Sequence, residues 1–189
     1  MYLRCRYIAN ELDIDLYPDL LTPELAAKWY DYIDCLFNKD LRRTSILFGN
    51  ENLIYSVTYQ GITNHNEVIP WNNLPGLNEL RNLIESITKQ SYTVCVIQRY
   101  PNGKIGINPH RDKEMVLGTR ICGLSLGAKR IIQFTRLNND PVSISLLAGS
   151  LYCMNPPTNQ KWLHSIIKEP HIKEIRYSLT FRDYRNYSL

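Results

Sequence analysis

From Tyr92 onward the chain is cut into short segments with the composition of β-strands. "SYTVCVIQRY", "GTRICGLSL", "KRIIQFTR", "VSISLLAG", "SLYCMNP", "WLHSIIKE" and "IRYSLTFRDY" are rich in β-branched and aromatic residues, and Gly, Pro, Asn and Asp separate them. Two helices are signalled before them. Thr22 reads as an N-cap with Pro23 at the first helical position, and Leu25, Trp29, Ile33 and Phe37 follow as an apolar stripe. A second helix is predicted from near Pro75, with Leu77, Leu80, Ile84 and Ile87 on one face. Helices followed by strands predict an α+β domain. Its core would be a double-sheet jelly roll of the cupin type, a double-stranded β-helix, with the N-terminal helices packed on one sheet.

The 189 residues carry no repeat, low-complexity tract or Gly/Ser linker, so a single domain over 1–189 is expected. No apolar run approaches bilayer length, and the opening "MYLRCRYIANELDIDLYPDL" has charges throughout instead of a signal-peptide stretch. An intracellular, non-membrane protein is the expectation. The five cysteines are odd in number and scattered without C-x-x-C, which suits free thiols and argues against a disulfide framework or a zinc finger. The net charge of +4 is compatible with a polyanionic partner without requiring one. Positive charge gathers in "LRRTS" (41–45) and "GAKRIIQFTR" (127–136), and both read most simply as solvated surface.

"INPHRDKEM" (107–115) sets an imidazole and a carboxylate two residues apart in a β-rich region. On a strand, His110 and Asp112 would share a face while Arg111 points away. A lone H-x-D also arises by chance, so its meaning depends on a third ligand. Of the other histidines, His164 lies in the late strand "WLHSII", which a jelly roll can return beside the first; His65 and His171 sit in polar loops and read as exposed. Two histidines and one carboxylate on one face leave metal positions open, the arrangement of non-haem Fe(II) oxygenases. In "RYSLTFR", Arg176, Ser178, Thr180 and Arg182 alternate with Tyr177, Leu179 and Phe181. The simplest reading is a strand with its polar face in water. The alternative is an anchor for a dicarboxylate, because guanidinium groups grip carboxylates bidentately and stay charged when enclosed.

With these segments in order, the chain from about Arg43 to Arg185 resembles the AlkB family of Fe(II)/2-oxoglutarate dioxygenases, in particular nucleic-acid demethylases of the bacterial AlkB and animal homologue two and three type. The resemblance is carried by "YQG" (59–61), "IPWNNLPGL" (69–77), "VIQRYPNG" (96–103), "NPHRDKE" (108–114), "LSLGAKRIIQF" (124–134), "LLAGSLYCMNPPTNQKWLHSI" (146–166) and "RYSLTFR" (176–182). It implies Fe(II) at His110, Asp112 and His164. It further implies 2-oxoglutarate held at its distal carboxylate by Arg176 and Tyr100, with Arg182 near the 1-carboxylate. Gln98 and Ser178 stand near the co-substrate where the family usually has asparagine, and Val57 stands where an aromatic is common. Base recognition would fall to Tyr59, Glu114 and His110, the last as a wall against which the base stacks.

On this resemblance, residues 1–42 are an N-terminal extension with a helix, 43–91 a nucleotide-recognition region and 92–185 the catalytic jelly roll. The expected activity is oxidative demethylation of bases such as 1-methyladenine or 3-methylcytosine in DNA or RNA, using Fe(II), 2-oxoglutarate and O2, by a monomer. A protein or small-molecule substrate, or a cupin-like metal-binding module without turnover, are the alternatives.

Overall fold

The first helix starts where its local chemistry directs. In the computed structural model, which describes residues 2–38, 44–59 and 62–184 (the side chains of 57–59, 62–65 and 67 excepted), α1 spans Pro23–Phe37. The Thr22 hydroxyl accepts from the Leu25 amide at 3.3 Å. Ala26, Ile33 and Phe37 form the buried face, whereas Leu25, expected on that stripe, is exposed. A strict four-residue ladder drifts around a helix of 3.6 residues per turn, and Leu25 lies about 80° from Ile33. The second helix, α2 (Leu77–Thr88), begins beyond Pro75, after Gly76 adopts φ 80° at the N-cap, and buries Leu77, Leu80 and Ile84.

The strands, in chain order, begin with β1 (Cys5–Ala9), β2 (Leu12–Tyr17), β3 (Ser45–Gly49), β4 (Ile54–Tyr59), β5 (Ile62–Glu67), β6 (Ile69–Pro70) and β7 (Val94–Tyr100). They continue with β8 (Ile107–His110), β9 (Ile121–Gly127), β10 (Arg130–Thr135), β11 (Val142–Leu146), β12 (Leu151–Met154), β13 (Leu163–Ile166) and β14 (Arg176–Arg182). A short helix, α3 (Thr158–Lys161), precedes β13. All the strand-like segments named from sequence are strands. The major sheet has eight strands in the order β1-β2-β12-β9-β14-β7-β3-β6, and a four-stranded sheet runs β11-β10-β13-β8. The hairpin β4–β5 stands apart as a two-stranded sheet. This is the expected α+β double-stranded β-helix.

Two large apolar cores fill it, beside a smaller third of Tyr55, Val68, Val94 and Tyr184. One joins α1 and α2 to the outer face of the major sheet, through Ile33, Phe37, Leu77 and Ile84 against Cys95, Leu124, Leu179 and Phe181. The other lies between the sheets and includes Leu12, Ile14, Tyr100, Ile132, Phe134 and Tyr152. In β12 the period of two divides the strand between the two large cores: Leu151 and Cys153 face the helices, Tyr152 and Met154 the interior.

The segment read as a helical extension also supplies two strands. β2 pairs with β12, placing Ile14 opposite Met154, and β1 forms the edge beyond it. Leu12, Ile14 and Leu16 are buried between the sheets while Asp13 and Asp15 hold Arg6 and Arg4. One charge expected on the surface is likewise interior. Arg130 is 1% exposed, bonded to Glu169 at 3.2 Å and to the carbonyls of Asn102, Ile105 and Ile167. Among the described residues no helix is long and apolar enough to cross a membrane. Of the segment 41–45, residues 41–43 lie outside the described residues.

Candidate metal centre

β8 and β13 run antiparallel with His110 directly opposite His164. Their ring centroids are 4.3 Å apart. Asp112 reaches them by a different route from the one its spacing suggested. β8 ends at His110, so Asp112 lies past the strand and does not share a face with His110 through the pleat. Its backbone is fixed instead by one side chain: the Asp112 amide donates to Asn159 Oδ1 at 3.0 Å, and Asn159 Nδ2 donates to the Asp112 carbonyl at 2.8 Å. The potential ligand atoms of His110, Asp112 and His164 all lie within 4.8 Å of one another.

The electrostatics suit a cation. The Asp112 side chain is 5% exposed, with Oδ2 3.0 Å from Arg182 Nη2 and Oδ1 3.5 Å from His110 Nε2. Burial opposes its ionisation, yet the Arg182 charge and the His110 contact together hold its pKa well below the carboxylate range. Burial pushes His164 down to about 4, so its imidazole is neutral with a free lone pair at pH 7. The contact with Asp112 raises His110. His110 Nδ1 lies 2.9 Å from the Asn108 carbonyl, a bond that takes the Nδ1 proton and leaves Nε2 toward Asp112. His164 Nδ1 is buried without a hydrogen bond, while Asp112 Oδ2 is met by the Arg182 ion pair. A carboxylate and two imidazoles converging within 4.8 Å of one another fit a ferrous ion.

The polar face of β14 does not meet water, as its simplest reading held. Arg176, Ser178 and Thr180 are buried along with Tyr177, Leu179 and Phe181, so the polar residues look into the space between the sheets. Arg176 is 1% exposed; its Nε donates to Ser125 Oγ at 2.9 Å, its Nη2 lies 3.4 Å from Ser178 Oγ, and its Cζ lies 5.0 Å from the Tyr100 ring centre. Its Nη1 is buried without a partner, and among the described residues no acidic side chain pairs with it. Burial lowers its pKa. A buried cation without a counter-charge is costly, so the position fits an anionic co-substrate carboxylate. Tyr100, Ser178, Thr180 and Arg182 line one cavity with His110 and His164.

Sequence reasoning passed over one other wall of this cavity, Tyr152, and one partner of Arg182, Tyr55. Tyr152 is buried in it, and a Cβ on Gly123 opposite would overlap the Tyr152 ring, so only glycine leaves room. Tyr55, buried on β4, accepts a hydrogen bond from Arg182 Nη1 at 2.9 Å and ties the separate hairpin to the centre. Neither residue carries a local pattern that distinguishes it from other strand tyrosines. Gln98 is half-buried, opposite Ser178 in the β7–β14 register. Glu114 is half-buried in the loop after Asp112, and its Oε2 accepts from the Lys113 amide at 3.2 Å. The Tyr59 side chain, with those of Val57 and His65, lies outside the described residues. His171 is exposed and Trp162 is in the core.

The chain is 32% identical over 151 residues to the DNA oxidative demethylase ALKBH2 of Bos taurus, covering 74% of this chain and 52% of that protein. The Homo sapiens ALKBH2 is also 32% identical over 151 residues, with 56% of its length covered. The alpha-ketoglutarate-dependent dioxygenase alkB homolog 3 of Bos taurus is 35% identical over 120 residues, 57% of this chain and 42% of that protein. The chain thus spans about half the length of the curated ALKBH2 relatives it matches. A solved structure, "The structure of OsALKBH1", superposes with a TM-score of 0.67 at 10% identity over 95% of this chain and 100% of that one, a likeness of fold. Residues 13–182 match the 2OG-Fe(II) oxygenase superfamily. That match runs from β2 to the last residue of β14, and the AlkB resemblance read from the sequence stands beside it: the chain belongs to the 2OG-Fe(II) oxygenase superfamily.

Proposed function

We propose that the chain is an Fe(II)- and 2-oxoglutarate-dependent dioxygenase that dealkylates nucleobases in DNA or RNA, with 1-methyladenine and 3-methylcytosine as the lesions it takes. The observation that carries the reading is the buried Arg176 guanidinium, with an unpaired Nη1 and no acidic partner among the described residues. Its neighbours Tyr100 and Ser178 line the same cavity as His110 and His164. Bound together, iron(II), 2-oxoglutarate and dioxygen supply an oxidation that turns an N-methyl group into formaldehyde, with succinate and carbon dioxide as co-products.

The chain's own residues position and shield that chemistry. His110, Asp112 and His164 would hold the metal, and three protein ligands would leave it room for the co-substrate. Arg176 and Tyr100 grip the distal carboxylate, Gln98 and Ser178 flank the co-substrate, and Arg182 stands at the 1-carboxylate end while also neutralising Asp112. Ile132, Tyr152 and Ile166 give the cavity its apolar lining. A methyl on a Watson–Crick edge is out of reach in a stacked duplex, so the base must leave the stack. His110, whose side chain is 37% exposed, offers the open wall for it. Base recognition falls to Glu114 and Tyr59, with Glu114 accepting a hydrogen bond from the exocyclic amine and attracting the positive charge of such lesions.

The test is a panel of singly methylated oligonucleotides, DNA and RNA, single- and double-stranded, read by mass spectrometry. Loss of one methylene mass from 1-methyladenine or 3-methylcytosine, dependent on both iron and 2-oxoglutarate, is expected. No loss from any member with all components present would contradict the reading.

A further inference from the structure

Asp112 owes its position to a residue forty-seven places along the chain. Asn159 presents its carboxamide to the Asp112 backbone as a neighbouring strand would present a peptide group, accepting from the amide at 3.0 Å and donating to the carbonyl at 2.8 Å. Because β8 has already ended at His110, this pair of bonds replaces the ladder that would otherwise hold Asp112.

Asn159 is itself held. The adjacent Thr158 is fully buried, and its hydroxyl accepts from the Asp13 amide at 2.8 Å and donates to the Asp13 carbonyl at 3.1 Å. Trp162, just past α3, donates its indole N–H to the Asn10 carbonyl at 3.1 Å. So α3 is hung on the β1–β2 hairpin, and Asn159 transmits that anchorage to the carboxylate. The carboxylate's other constraint, the Arg182 ion pair, pulls on Oδ2 and cannot fix the backbone by itself.

We infer that Asn159 is a positioning residue for the metal centre, setting the backbone from which Asp112 presents its carboxylate beside the two imidazoles. The inference rests on the iron-site reading above. Groups bonded to a ligand affect metal affinity by about 10–100-fold when they are removed, and a ligand outside regular structure has no other ladder to fall back on.

Cobalt(II) serves as the probe, titrated into the full chain and followed by its visible d–d absorption. Asn159→Ala is expected to weaken Co(II) binding about 10–100-fold and to change the d–d spectrum. Asn159→Asp keeps the acceptor for the Asp112 amide but loses the donor, and should fall between Asn159→Ala and the native chain. Gln160→Ala, one residue on, should bind as the native chain does. In an Asp112→Ala background, adding Asn159→Ala should change nothing further, because the ligand it orients is gone. Native affinity and spectrum in both Asn159 variants would overturn the inference while leaving the iron site standing. If Asn159→Ala does not fold, the Asn159→Asp titration decides alone. A native chain that takes up no Co(II), or takes it up equally well without His110, Asp112 and His164, overturns the iron-site reading and this inference with it.

Discussion

His164 faces His110 across the antiparallel β8–β13 pair, ring centroids 4.3 Å apart. Pairing in this register makes neighbours of two imidazoles that are remote in sequence. A slip of one residue would turn one of them to the other face of the sheet and leave Asp112 with a single nitrogen partner. The β10–β13 pairing, with Phe134 buried opposite His164, pins that register from the other side.

Replacing Asp112 should damage both binding and folding. Asp112→Ala removes the anionic ligand and leaves the largely buried Arg182 without its carboxylate, at a cost on the order of 3 kcal/mol. Denaturant unfolding of the metal-free chain measures the second effect, and metal content after dialysis against Fe(II) or Co(II) measures the first. Asp112→Asn, close to the same shape, should also lose the metal.

Arg176→Met separates binding from stability. With its counter-ion absent, Arg176 is a buried charge that nothing neutralises, so the metal-free variant should be as stable as the native chain or more so. Co-substrate affinity should fall by about 2–5 kcal/mol, the usual loss when one partner of a buried charged pair is truncated. Thermal melts and 2-oxoglutarate binding isotherms on the same preparation give the two signs.

Metal and co-substrate should each raise the melting temperature. A ligand present at 100 times its Kd adds about 2.7 kcal/mol to the folded state. Addition of Mn(II) with 2-oxoglutarate should therefore produce a clear upward shift that EDTA reverses. The shift should be absent in His164→Ala.

The N-terminal hairpin should prove integral to the fold. Ile14 is fully buried between the sheets, and Ile14→Ala should cost about 2–5 kcal/mol. Deletion of residues 1–17 uncovers the β12 edge and removes the support of α3, and should abolish cooperative unfolding.

Much of this was legible in the chain where the signal is local. Thr22 and Pro23 mark a helix start because capping is decided within one turn, and the alternation of β14 separates its two faces by pleat alone. The β2 signal was present as well: "LDIDLY" alternates apolar and acidic residues, and its acidic members obscured a strand whose apolar face is wholly interior. The burial of the β14 polar face could not be read locally, because it depends on a second sheet covering it. Asp112 was found for a reason that does not hold, strand periodicity past the end of β8. Asn159, Tyr152 and Tyr55 were passed over because their importance lies in contacts with residues far along the chain, such as the bond of Tyr55 to Arg182.

The most direct test of the central claim is an anaerobic titration of the chain with Fe(II) and 2-oxoglutarate, followed by visible absorption. A metal-to-ligand charge-transfer band should appear only when both are present. It should vanish in His110→Ala, Asp112→Ala and His164→Ala, and it should need much more 2-oxoglutarate in Arg176→Met. No band with both present, or a band that survives removal of all three ligands, would contradict the account.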